Sequence, residues 1–188
     1  MTGGGDVVAH PRVIVLNGGS SSGKSSIARA LQEILPDMWL TFGVDTFIDA
    51  LPGRGNSPKS GITYSTGGAI AVTREYTRLE NAWYSALYAL ADAGANIILD
   101  EVLLSSHEGQ QRLLARFDGL SLLWVGVHCP PEIAAARETA RGDREPGMAC
   151  RQAVSVHAEV SYDIEVDTSV HSPEECARTI AGSVTGFD

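Results

Sequence analysis

The sequence predicts an α/β protein, a parallel sheet covered by helices on both faces, and three observations carry that expectation. Apolar, β-branched runs recur along the chain, and helical spacings of apolar residues follow them. The composition, 44% hydrophobic over 188 residues, suffices to enclose one substantial core. Residues 1–188 therefore read as a single domain, with 1–11 as a flexible N-terminal stretch.

Five runs qualify as strands. VIVLNG (13–18), WLTFGVD (39–45), ANIILDEVLL (95–104) and LSLLWVGVHC (120–129) are unbroken enough for the middle of a sheet, whereas YDIEVDT (162–168) is weaker. After the first, KSSIARALQEIL sets Ile27, Ala30, Leu31 and Ile34 on one helical face before Pro36 ends the helix. Between the second and third runs, Thr73 to Ala93 spaces Tyr76, Leu79, Trp83, Leu87 and Leu90 by three and four. That stripe should bury against the sheet, so Trp83 reads as core rather than as a stacking platform. SPEECARTIAGSV offers Ser172 as a helix cap, Pro173 at the first helical position and Glu175 to complete a capping box.

One segment, LPGRGNSPKSGITYSTGG (51–68), fits no element. So long a connection is either functional, here a candidate acceptor-binding loop, or a mobile surface insertion.

Fourteen basic residues against twenty-three acidic ones give a charge of −9, which argues against a broad grip on nucleic acid or an anionic membrane. Any bound anion must be held locally. Cys129, Cys150 and Cys176 are odd in number and contain no C-x-x-C pair, so they read as reduced, buried thiols. No apolar run approaches the roughly 20 residues that span a bilayer, and no signal-like leader precedes the first strand; cytoplasmic residence is the expectation.

Between the first strand and its helix lies Gly18 to Ser25, GGSSSGKS, which matches the phosphate-loop pattern G-x-x-x-x-G-K-[ST] without a mismatch. Small residues let the backbone curl until successive N–H groups of Gly18, Gly19, Ser20, Ser21, Ser22 and Gly23 face one cavity, at the positive end of the helix dipole. Lys24 then reaches the β and γ phosphates of a nucleoside triphosphate, and the Ser25 hydroxyl is placed to ligate Mg²⁺. Asn17 and Ser26 are supporting contacts. No guanine-reading N/T-K-x-D sequence is present, which weakens a GTPase reading.

Phosphoryl transfer to an alcohol needs a carboxylate beside the terminal phosphate and cations around it. Asp45, at the carboxyl end of the second run, is the candidate general base, or else a helix cap for TFIDAL. ILDE adds Asp100 and Glu101; alternation along a strand lets one of them face the site, Asp100 by preference, for the magnesium shell or the acceptor. RETARGDR (137–144) puts Arg137, Arg141 and Arg144 on one helical face. With residues 137–147 as a lid hinged at Gly142 and Pro146-Gly147, that face would close over the triphosphate; interleaved Glu138, Asp143 and Glu145 equally permit a solvated helix. His128 and His157 read as core or strand-end residues, His107 as a residue near the pocket, and Asp167-Thr168 as the edge nearest a nucleobase.

LNGGSSSGKSS, FGVD, ILDEVLL, LLWVGVHC, RETARGDR and YDIEVDTS with SPEECA, in this order, resemble the chloramphenicol phosphotransferase family from about Val13 to Ala181. The resemblance implies a three-layer P-loop kinase fold with five parallel strands in the order 2-3-1-4-5. It further implies an enzyme that uses ATP and Mg²⁺ to phosphorylate the primary hydroxyl of chloramphenicol, a small-molecule acceptor. Asp45 would be its base, and Arg137, Arg141 and Arg144 its lid arginines. Two positions depart from the family pattern: Asp100-Glu101 stands where paired aspartates are expected, and GRGNSPKSGITYST is unlike its acceptor segment. The alternatives are a metabolic kinase for a nucleoside or another hydroxylated metabolite, and a nucleotide-sensing binding module.

Overall fold

The computed structural model describes residues 11–55, 57–64, 70–141 and 147–185. All but the last residue of the expected N-terminal stretch 1–11 lies outside them. Strands β1 (Val13–Asn17), β2 (Trp39–Gly43), β5 (Asn96–Glu101), β6 (Leu122–His128) and β7 (Ile164–Asp167) form one parallel sheet in the order β2-β5-β1-β6-β7. Counted as the five apolar runs, this is second, third, first, fourth, fifth, the order that the resemblance implies. The numbering shifts because a small antiparallel hairpin, β3 (Ile62–Tyr64) with β4 (Ile70–Val72), intervenes.

Alternation along the strands builds two cores. Ile14, Leu16, Ile98, Val125 and Val127 face α1 (Lys24–Ile34) and α7 (Pro173–Thr185). Val13, Val15, Ile97, Leu99 and Trp124 face α3 (Arg74–Asp92) and α4 (Ser106–Arg116). Ile27 and Leu31 on the first layer and Leu87 on the second are almost completely buried, each worth about 2 kcal/mol of transfer free energy. With both faces covered, the strand sequences have no polar side to show, which is why they read as unbroken apolar runs.

Helix α1 buries Ala28 with Ile27 and Leu31, while Ile34 is 39% exposed, so the expected face is rotated at its end. In α3 the buried line runs through Tyr76, Tyr84, Leu87 and Ala91, with Leu90 40% exposed; it departs from the predicted stripe because Tyr76 packs against Phe47 and Leu51 while Tyr84, Leu87 and Ala91 pack in the sheet-side core. Trp83 is half-buried and packs against the core as expected, edge-on to Phe42 and against Phe47 of α2 (Val44–Ala50). The predicted capping box closes: Ser172 Oγ accepts from Glu175 N at 3.2 Å, and Ser172 N donates to Glu175 Oε2 at 2.8 Å. Cys129 and Cys176 are buried, but Cys150 is exposed, because its short helix α6 (Met148–Ser155) turns that position outward.

The segment 51–68 is not structureless where it is described. Short 3-10 turns occupy Pro52–Gly55 and Pro58–Ser60 before β3, and Thr73 then caps α3 through a bond from Tyr76 N. No described helix is long and apolar enough to cross a membrane.

Candidate active site

The carboxyl ends of β1, β2 and β5 converge because of their register: Gly43 lies beside Asp100, and Leu16 lies beside Asp100 on the other flank. A Cβ on Gly43 would collide with the Asp100 carbonyl, so glycine lets the two strand ends approach this closely. Two residues later comes Asp45. Gly43, with extended backbone, is the N-cap of α2 and Asp45 falls in the first turn, so Asp45 is not the cap of that helix.

The choice between Asp100 and Glu101 follows from strand alternation. Asp100 shares the face of Ile98, towards α1; Glu101 shares the face of Leu99, towards α3. Accordingly Ser25 Oγ donates to Asp100 Oδ2 at 2.6 Å, and Lys24 Nζ lies 3.5 Å from Asp100 Oδ1. Glu101 is buried on the far side and accepts from the Tyr84 hydroxyl at 3.0 Å. Burial pushes its carboxyl up to about 8, so the acid is held neutral, and burial beside Glu101 raises the Tyr84 phenol as well.

The loop itself turns through Ser21 (φ 60°) and Gly23 (φ 99°), but not all six amides expected to face one cavity are open to it. Gly18 N donates to Glu101 O at 3.4 Å, Ser20 N to Gln152 Oε1 at 2.8 Å and Ser22 N to Gly19 O at 3.3 Å, because neighbouring elements and the loop's own turn reach these amides first. Lys24, 6% exposed, folds its ammonium onto the carbonyls of Gly18 and Gly19, both at 2.9 Å. Beneath the loop, Asn17 accepts from Leu103 N and donates to Val156 O and the Tyr162 hydroxyl, fixing where the loop begins. The Tyr162 hydroxyl also meets Nδ1 of His157, which stacks on His128 at 4.1 Å; burial, then the nearby His128, lowers the His157 pKa to about 4.

A cavity of about 560 Å³ opens over this edge. Loop residues 20–26, Asp45, Asp100 and Arg137 all line it, so the principal predicted groups are brought together. Arg137, on α5 (Pro131–Arg141), donates to Thr168 Oγ1 at 2.9 Å and Thr168 O at 2.7 Å, and Thr168 Oγ1 in turn donates to Ser22 O at 2.7 Å. Thr168 thus lies at the cavity against the phosphate loop, whereas Asp167 does not line it and accepts from Ser169 instead. Arg141 ends α5, and Arg144, with Gly142 and Pro146, lies outside the described residues. Glu138 is not on a solvated face: it is buried, and its carboxylate accepts from Gly147 N at 2.7 Å and Ala149 N at 2.8 Å, capping α6. His107 bonds Glu159 O on the exterior and does not line the cavity, because α4 carries it away.

Two contributions escape a reading by motif. One is an apolar wall that includes Val44, Ile48, Ile70, Leu104 and Met148; the other is Gln152. Met148 and Gln152 are four apart on α6, a spacing that would have placed them on one face had that short helix been recognised.

The chloramphenicol phosphotransferase-like family model matches residues 11–185. A Mycobacterium tuberculosis protein, provisionally named an O-phosphotransferase, is 34% identical over 186 residues, covering 90% of this chain and 80% of its own. Among solved structures, a Deinococcus radiodurans tunicamycin resistance protein aligns with a TM-score of 0.64 at 21% identity, over 92% of this chain and 95% of that one. A sugar kinase from Janibacter sp. aligns at 0.62 and 21%, over 93% and 96%. Shikimate kinase from Acinetobacter baumannii aligns at 0.57 and 16%, over 93% and 92%. At such identities these three speak for a shared P-loop kinase fold; the match along nearly the whole sequence says more, and by it the chain belongs to the chloramphenicol phosphotransferase-like family.

Proposed function

We propose that this protein is an ATP-dependent O-phosphotransferase that phosphorylates a hydroxyl of a small antibiotic, chloramphenicol being the leading acceptor, and so confers resistance. The family supplies the general activity, phosphoryl transfer to a small molecule. The observation that carries the finer reading is that a phosphate loop, a carboxylate and an apolar wall share one cavity.

In this reading Asp45 orients the acceptor hydroxyl and takes its proton as the alcohol oxygen bonds to the terminal phosphorus and the bond to the ADP oxygen breaks. Lys24 and the loop amides that do not already donate within the protein hold the β and γ phosphates, Arg137 and Arg141 neutralise charge on the migrating group, and Arg144 binds nucleotide. Two buried hydroxyls, Ser21 Oγ and Ser22 Oγ, have no hydrogen-bond partner among the described residues, as suits a loop made to meet anionic oxygens. Ser25 Oγ beside Asp100 is a hard oxygen pair of the kind Mg²⁺ takes. Bound there, the ion would neutralise charge on the β and γ oxygens.

The wall supports an uncharged acceptor. Lys24 and Arg137 are the cations that line the cavity among the described residues, and both are engaged with the phosphate loop or its neighbour Thr168. An acceptor bringing its own carboxylate would face Asp45 and Asp100 against apolar side chains, a costly burial. An alcohol on an apolar frame has no such cost.

The test is incubation with γ-labelled ATP and a panel of chloramphenicol, a nucleoside, a hydroxylated acid and a sugar, with ADP and acceptor mass followed together. Chloramphenicol should gain one phosphate with matching ADP. Labelling confined to a charged metabolite would remove the antibiotic reading, and nucleotide binding without turnover on any acceptor would point instead to a sensing module.

A further inference from the structure

Helix α6 is pressed onto the first limb of the phosphate loop. A Cβ on Gly19 would lie 3.0 Å from both Ala153 N and the Gln152 carbonyl carbon, so the two backbones meet with no room for a side chain. Val156 O, just past α6, accepts from Asn17 Nδ2 at 2.9 Å, and Gln152 Oε1 accepts from Ser20 N at 2.8 Å. Gln152 is 8% exposed and lines the cavity with that remaining surface.

The bond to Ser20 fixes which way the amide points. A backbone N–H can only donate, so Gln152 must turn its oxygen to the loop and its NH₂ group, two further donors, the other way. The limb it holds is the one under the Lys24 ammonium, which rests on Gly18 O and Gly19 O, one residue before Ser20. In a phosphate loop that lysine serves the β and γ phosphates, whereas the amides at the helix start cradle the inner ones. A neutral amide therefore sits at the outer end of the phosphate chain, where a carboxylate would repel it.

Resting on the nucleotide-binding reading above, we propose that Gln152 is a γ-phosphate recognition residue: its oxygen holds the Ser20 peptide and its NH₂ group donates to the terminal phosphate. Glu138, by capping α6, ties this residue to the helix that carries Arg137, so that both approach the triphosphate on one support. Selection of triphosphate over diphosphate is then partly the work of a side chain outside the phosphate-loop motif.

ADP and ATP affinities, measured by calorimetry with Mg²⁺ present, test this directly. Gln152→Glu preserves shape and an acceptor for Ser20 N–H but exchanges the donors for negative charge. ADP affinity should stay within about twofold of the parent, while ATP affinity should fall about tenfold or more, as adding one like charge at close range implies. Gln152→Met, uncharged and of similar length, serves if the carboxylate blocks folding; it should also weaken ATP more than ADP. An unchanged ATP-to-ADP ratio in the folded variant overturns the role of Gln152 while leaving the nucleotide reading intact. Failure of the parent to bind either nucleotide overturns both.

Discussion

The two ends of the cavity are built differently. At the phosphate-loop end the backbone and its lysine are fastened, Ser20 N to Gln152, Ser22 O to Thr168, Gly18 N to Glu101 O, and Lys24 and Ser25 to Asp100, while the Ser21 and Ser22 hydroxyls stay open among the described residues. At the other end, Asp45 and Ile48 ride on the seven-residue α2, and Ile70 stands on a three-residue strand, 38% exposed. The phosphate-loop side is held by these bonds and shared with other P-loop kinases in fold, whereas the other side rests on short elements whose residues can change without unseating the sheet.

The strongest way to separate the ends is Asp45→Asn. The amide keeps the size and much of the hydrogen bonding of the carboxylate but cannot take a proton, so kcat should fall about a thousandfold. ATP affinity, set at the other end, should be unchanged in equilibrium binding. Near-parental turnover would return the base to another group, and a parallel loss of ATP affinity would mean that the two ends are not independent.

Glu101→Gln probes the support behind the phosphate end. With a folded-state pKa of about 8 against an ordinary 4.5, Glu101 keeps its proton in the native protein over a window where the unfolded chain has lost it. The contribution to stability is thus full below pH 4.5 and drains away as pH rises through 8. At pH 7 the parent forgoes on the order of 3 kcal/mol relative to acid conditions, from the pH distance above the unfolded value. Glutamine cannot ionise and still accepts from Tyr84, so the variant should melt roughly 6 to 12 °C higher at pH 7 and match the parent near pH 4.5. Equal melting temperatures across that range would show that the carboxyl ionises without penalty.

Legibility in the sequence follows the same division. The strand runs, their order once the family resemblance was admitted, the phosphate loop and the Asp45 position were readable, because burial on both faces and the loop's backbone geometry each restrict residue types severely. The two-residue period of a strand says that one of Asp100 and Glu101 faces the site; which one depends on the layer that each face packs against, and that is set by the fold. The hairpin was not readable: three-residue strands inside a Gly/Ser-rich stretch carry too few side chains to express a period. Glu138 misled because a buried acid accepting two backbone N–H groups is spelled like any charged helical residue. Gln152 gave no signal for the same reason, its role being set by contact with a loop more than a hundred residues earlier.

Ile70→Ala should have the smallest effect and would sharpen the comparison most finely. The residue is exposed on β4, so its loss removes little core and the melting temperature should move by about 1 °C or less. It does line the acceptor end, where trimming an aliphatic side chain costs an apolar ligand about 1 kcal/mol, or roughly a fivefold rise in acceptor KM. The KM for ATP should not change, since no bond joins β4 to the phosphate loop among the described contacts. A chloramphenicol KM that ignores this substitution would place the acceptor away from the hairpin, and a polar acceptor that binds better to the variant would show that the apolar wall is not what selects the substrate.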